Sequence, residues 1–160
     1  MSINTCLDMF NARGYTVVYS SDIEIRGLDS KQRIVVLLIC PYPKLNVEIT
    51  KYYYNYIHLE DIHHFILVHN SAVTKNITSI IKNITPRRFE LYDANLLKFN
   101  ILKHRFVPHH EKIGHEPENT NQYPCMKRSD AVSRFMDFTK GDIIKIHRKD
   151  GTISFRYVTT

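Results

Sequence analysis

Residues 123–158, YPCMKRSDAVSRFMDFTKGDIIKIHRKDGTISFRYV, constrain the fold more than any other stretch of this chain. Ala131, Val132, Phe135 and Met136 recur at helical spacing and predict a short helix with one apolar stripe. Lys140-Gly141-Asp142 reads as a turn, after which Ile143, Ile144 and Ile146 begin a strand. Lys149-Asp150-Gly151 is a hairpin signal, and residues 153–158 supply the returning strand. A short helix followed by a β-hairpin makes a compact module with a short mixed sheet. Residues 123–160 carry eight Lys and Arg against four Asp, and no grouping in them has the composition of a catalytic site.

The chain before this module reads as alternating elements. Ile3, Cys6, Leu7 and Phe10 fall on one helical face, and Gly14 follows as a stop. Residues 16–19 read as a strand and residues 20–32, polar and charged, as a loop. The apolar run 34–40, ended by Pro41 and Pro43, reads as a buried strand. A helix from about Asn46 to His58 follows, then a buried strand at 65–68. Thr74 caps a helix with Ile77, Ile80 and Ile81 on its apolar side, stopped at Ile84, Thr85 and Pro86, and a strand at 89–92 comes last. This order predicts a small α/β domain over residues 1–93. Residues 94–122 are read as a connecting strand, 96–107, and a polar loop, 109–122, that separates this domain from the module at 123–160. The expected class is α/β in its α+β form.

Charge and composition then exclude several functions. No stretch is long enough to cross a membrane, and residues 1–11 carry no signal-peptide pattern. Three dispersed cysteines, at 6, 40 and 125, point to reduced thiols inside a cell. The net charge of +6 is uneven: residues 1–93 hold ten basic and nine acidic side chains, whereas residues 123–160 carry +4. That excess suits an acidic partner, either nucleic acid or a protein surface. His104, His109, His110 and His115 near Cys125 have neither a CxxC pair nor HExxH beside them, so no metal is expected. A metal-dependent nuclease would need grouped carboxylates; Asp22, Glu24, Asp29, Glu48 and Lys51 are available, but the core strand 34–40 contains no acid. His63, His64 and His69 flank a strand and read as edge or surface residues. The run Tyr52-Tyr53-Tyr54 with Tyr56 cannot all face one core, so part of that helix presents aromatic surface.

Two motifs in the correct order carry a resemblance to a known family. Tyr123-Pro124, then Asp130, Val132, Arg134 and Phe135, then Gly141, Ile143, Ile144, Lys145, Ile146 and Arg148, and last Arg156-Tyr157-Val158, form the first. Leu96-Leu97, Asn100-Ile101, His104, Phe106, Val107-Pro108 and His110 form the second. Together they resemble subunit five of the eukaryotic nuclear RNA polymerases and its archaeal counterpart. Arg13-Gly14-Tyr15 and residues 64–69 are similar to the opening motif and a strand of the same family, so the likeness covers nearly the whole chain. Ala131 stands where the family has proline, the segment between His110 and Tyr123 lacks most of a charged helix, and the N-terminal domain is shorter than in eukaryotic members. These departures resemble the compact versions carried by large DNA viruses.

The resemblance implies a non-catalytic subunit of a DNA-dependent RNA polymerase, with no cofactor. Its C-terminal module would dock on the largest subunit, with Pro108, Asp130, Val132, Arg134, Phe135, Lys145, Arg148, Arg156 and Tyr157 as interface candidates. Its N-terminal jaw would face downstream duplex DNA through backbone phosphate contacts, with Lys75, Lys82, Arg87 and Arg88 as candidates. The expected location is the nucleus for a cellular protein, and host cytoplasm or virion for one encoded by a cytoplasmic large DNA virus. The alternatives are a metal-dependent nuclease-like protein and a stand-alone DNA-binding protein.

Overall fold

Helix α1 (Ile3–Ala12) begins where the Ser2 hydroxyl accepts the Asn4 N–H, and it buries Cys6, Met9 and Phe10. It ends with Gly14 N–H on Asn11 O and Tyr15 N–H on Phe10 O, which turn the chain into strand β1 (Thr16–Ser20). The computed structural model describes residues 2–84 and 86–160. These fall into two compact units, Met1–Phe99 and Asn100–Thr160.

The first unit is a five-stranded mixed sheet in the order β1-β2-β3-β4-β5. Strands β2 (Glu24–Leu28) and β3 (Ile34–Ile39) continue β1 as an antiparallel meander. Strands β4 (His64–His69) and β5 (Arg88–Asp93) then add in parallel. Parallel neighbours need crossovers, and helices α2 (Val47–Leu59) and α3 (Lys75–Lys82) supply them. Asn46 and Thr74 cap these helices through the N–H groups of Ile49 and Ile77. Both helices pack on one face of the sheet, where Tyr53, Ile57 and Ile77 join Val36, Phe65, Leu67 and Phe89 in one core. The α1 face of the sheet is the other one: Ile25, Val35, Leu37 and Ile66 alternate with that set along their strands and are fully buried. Helix α3 ends with Asn83 as its C-cap, and Thr85 of the expected stop lies outside the described residues.

Three sequence expectations change here. Residues 24–28, read within a loop, form β2. The alternation Glu24, Ile25, Arg26, Gly27, Leu28 is a true strand period, obscured because glycine holds an inward position. A Cβ there would meet Thr16 O and stand 2.8 Å from Phe10 Cε1, so only glycine allows β1 and α1 to close over it. His64 and His69 are not surface residues. Both lie in β4, the strand every residue of which is buried. Residues 94–107 form no strand: Asp93 and Asn100 cap two 3-10 turns, Ala94–Leu97 and Ile101–Lys103, through the N–H groups of Asn95 and Leu102. Adjacent apolar pairs (Leu96-Leu97, Ile101-Leu102) suit a turn better than a pleat.

The second unit is a four-stranded sheet in the order β6-β8-β9-β7, from strands β6 (His109–His115), β7 (Cys125–Lys127), β8 (Asp142–His147) and β9 (Ile153–Thr159). Helix α4 (Ala131–Met136) covers one face. Thus residues 109–115, read as loop, are a strand. They are polar because β6 is an edge, paired only with β8 and bulged between Lys112 and Gly114.

Candidate docking surface on the C-terminal unit

The hairpin sets the geometry. Ile144 pairs with Arg156, and Ile146 with Ser154, so these side chains share the face that carries α4. There Ile144, Ile146 and Val158 pack with Val132 and Phe138. Helix α4 is short and depends on its ends. Asp130 Oδ1 accepts Val132 N–H at 2.9 Å and Ser133 N–H at 3.4 Å, while Asp137 closes the helix in the left-handed region at φ 57°. Asp130 is thus an N-cap even without the proline that the resemblance predicts at position 131.

A buried carboxylate ties the start of β8 to the edge strand β6. Asp142 Oδ1 lies 2.8 Å from Lys112 Nζ and 2.8 Å from His115 Nδ1, both on β6. Its Oδ2 accepts Thr139 N–H at 2.8 Å. Burial alone would raise the Asp142 pKa, but these hydrogen bonds and the Lys112 charge outweigh it and hold the carboxyl below its ordinary value. The adjoining Gly141 is clamped, its C=O taking Glu116 N–H and its N–H going to Val158 O.

On the α4 face the surface opens into a groove of about 490 Å³. Residues Phe106–Pro108 line it, as do strand β7, the Ser129-Asp130 corner, Val132, Ile146 and Arg156. His110 also lines it, its Nδ1 2.8 Å from Pro108 O, and burial there lowers its pKa despite that hydrogen bond. A neighbouring hollow of about 290 Å³ shares Phe106, Val107 and Pro108 and adds Arg105, Arg148, Lys149 and Asp150.

The interface candidates separate into three groups. Pro108, Asp130, Val132 and Arg156 come together in the groove, and Arg148 lines the hollow beside it. Phe135 is fully buried and Tyr157 is 5 % exposed, so both belong to the unit's own interior, and the Tyr157 hydroxyl donates to Pro117 O. Arg134 and Lys145 are half-buried, and Lys145, opposite Phe155 in the ladder, lies on the other face of the sheet. Phe106, Met126 and Lys127 were not among the candidates. A large aromatic between Arg105 and Val107-Pro108 was the one available signal. Nothing in the sequence shows that residues twenty positions apart form one groove.

In the first unit, Lys75 and Lys82 are exposed on α3. Arg87 instead donates to Ile57 O at 2.9 Å and to Asp61 Oδ1 at 2.7 Å, closing the C-terminal end of α2, and Arg88 is half-buried. The nuclease set does not assemble. Glu24 pairs with Arg26, Asp29 with Arg33, and Glu48 and Lys51 are exposed on α2. Among the described residues no group of three or more His, Cys, Asp or Glu side chains could hold a metal ion, and His104, His109, His110, His115 and Cys125 form none. No helix among them is long and apolar enough to cross a membrane.

The C-terminal unit is thus an α-capped antiparallel hairpin with an open groove on one face. Residues 99–159, which nearly coincide with the C-terminal unit, match the family model described as RNA polymerase Rpb5, C-terminal domain. The chain is 28 % identical over 110 residues to "Putative DNA-directed RNA polymerase subunit 454R" of invertebrate iridescent virus 6, a match covering 58 % of this chain and 59 % of that one. It is 32 % identical over 73 residues to "Uncharacterized protein 092R" of invertebrate iridescent virus 3, covering 45 % of this chain and 42 % of that one. The match thus spans about three fifths of the first relative's length and less of the second's. The solved structure "Structure of EndoMS in apo form" aligns with 58 % of this chain and 46 % of its own at 19 % identity and a TM-score of 0.38.

Proposed function

We propose that this chain is a non-catalytic subunit of a multisubunit DNA-dependent RNA polymerase, of the type encoded by large DNA viruses. The match of residues 99–159 to the Rpb5 C-terminal domain carries this reading, because those residues coincide with one compact structural unit. The C-terminal unit docks on the largest subunit. The N-terminal unit acts as a jaw beside downstream duplex DNA, touching backbone phosphate and reading no base. Its working place is then the host cytoplasm or virion, or the nucleus if the source is cellular.

Two experiments test the reading. Tagged full-length chain, expressed in cells making the polymerase of the same genome, is expected to recover the largest subunit and its partners as one complex. Recovery of the chain without any polymerase subunit would sink the proposal. For the jaw, Lys75 and Lys82 lie seven residues apart on α3, one face and about 10 Å of helix. Replacing both with Ala in the assembled polymerase is expected to reduce the log–log salt slope of duplex retention by about two, roughly one per phosphate contact. An unchanged slope removes α3 from the DNA contact.

A further inference from the structure

The groove carries a more specific reading, which rests on the polymerase-subunit proposal above. Val107, Pro108, Met126, Val132 and Ile146 supply the apolar half of its lining, beside polar and charged groups. At its lip stands Phe106, 74 % exposed, with the Arg105 guanidinium 4.4 Å from its ring centroid. A large aromatic held in water by a cation at a groove mouth is the arrangement of an interface anchor. The cations Lys127 and Arg156 line the same groove, and Arg148 and Lys149 line the hollow beyond Phe106. Two carboxylates stand among them, Asp130 in the groove and Asp150 in the hollow. A phosphate backbone tracking across both would be drawn by the cations, but it has nothing to place against the apolar side chains of the lining. A polypeptide carrying an apolar side chain between acidic ones meets both the apolar residues and the cations.

We propose that this groove receives an acidic, apolar-anchored segment of the largest polymerase subunit. The anchor enters beside Phe106 and Val132, and flanking Asp or Glu side chains pair with Lys127 and Arg156. Lys127 and Phe106 are both exposed, so replacing them leaves the unit's core intact.

The test uses full-length chain co-expressed with the largest subunit of the same genome. Wild type, Lys127→Glu, Phe106→Ala and, as a control, Lys44→Glu at an exposed position of the other unit are compared for capture. Thermal midpoints are measured alongside, to show that each variant folds. Expected are losses in affinity of about tenfold for Phe106→Ala and at least severalfold for Lys127→Glu, with none for Lys44→Glu. Carbodiimide coupling of the complex is expected to join the Lys127 amine to an Asp or Glu of the largest subunit. Undiminished capture by folded groove variants overturns the groove assignment and leaves the subunit reading standing. Failure of the wild type to capture any polymerase subunit overturns that reading and this inference with it. Groove variants that keep full capture but lose affinity for duplex or single-stranded DNA identify the surface as a nucleic-acid contact instead.

Discussion

Replacing Arg13 with Met is expected to destabilise the N-terminal unit by about 3–5 kcal/mol, the range for removing one partner of a buried ion pair. The Arg13 side chain is 1 % exposed and makes two bonds to Glu90, at 2.8 and 3.1 Å. Glu90 also lies 3.1 Å from His64 Nε2, and His64 Nδ1 lies 2.9 Å from the Tyr15 hydroxyl. An ionised Glu90 only accepts, so His64 Nε2 carries the proton it donates to the carboxylate. The Arg13 charge is the largest favourable influence that keeps Glu90 ionised. Burial raises the Glu90 pKa. The Arg13 charge and the bonds from His64 and Arg13 outweigh burial and hold the carboxyl well below the usual carboxylate range.

Two controls separate this account from a simple loss of packing. The double variant Arg13→Met with Glu90→Gln keeps an acceptor for His64 and leaves no buried charge, so it is expected to recover more than half of the loss in urea denaturation, followed by the exchange of β4 and β5 amides. The sign of the pH dependence is also fixed. A carboxyl depressed in the folded state contributes stability that is fully present above its unfolded pKa, roughly 4.3, and is lost as pH falls towards the folded value. The gap between wild type and Arg13→Met should therefore narrow with acidification below about pH 4. A gap independent of pH would count against the charge as the cause.

Gly141→Ala is expected to cost the C-terminal unit roughly 3 kcal/mol, from a left-handed residue and an overpacked contact together. The φ of Gly141 is +96°, and a Cβ would stand 2.6 Å from Glu116 O and 2.7 Å from His115 Cε1. Glu116 O is backbone, and strand β6, which it directly follows, is tied to the same turn through Lys112, His115 and Asp142, so it cannot step aside cheaply. A unit of roughly 60 residues has only a few kcal/mol to lose. The variant should show fast amide exchange across β6, β8 and β9 and lose capture of the polymerase, while the first unit stays protected. Gly151→Ala is the matched control. Its φ is +83° but nothing lies within 4 Å of the added carbon, so the cost should be about 1 kcal/mol. Equal costs at the two positions would show that backbone conformation alone matters at Gly141.

Much of the molecule was legible before its structure. Helices α1 to α4, the hairpin of β8 and β9, and the central strands β3, β4 and β5 follow from caps, apolar period and turn residues, which act over a few neighbours. The motif Arg13-Gly14-Tyr15 was visible as a family resemblance, yet only the fold shows why those residue types stand together. The glycine turns the chain after α1, and the turn brings Arg13 and Tyr15 to Glu90 and His64, which lie far along the sequence. The edge strand β6 and the strand β2 escaped because an edge needs little apolar surface and because Gly27 stands where an inward side chain would have signalled a strand.

The sequence by itself determined the local elements, the uneven charge and the resemblance of the C-terminal stretch to a polymerase subunit, because each rests on residues near one another in the chain. Only the tertiary structure decided which of the candidate interface residues meet in a groove. It gave Phe135 and Tyr157 to the interior and joined Phe106, Lys127 and Arg156 at one surface. It also showed Arg87 bonded to the end of α2. The physical reason is that burial and charge pairing are settled by contacts between residues tens of positions apart, and neither composition nor period carries that information.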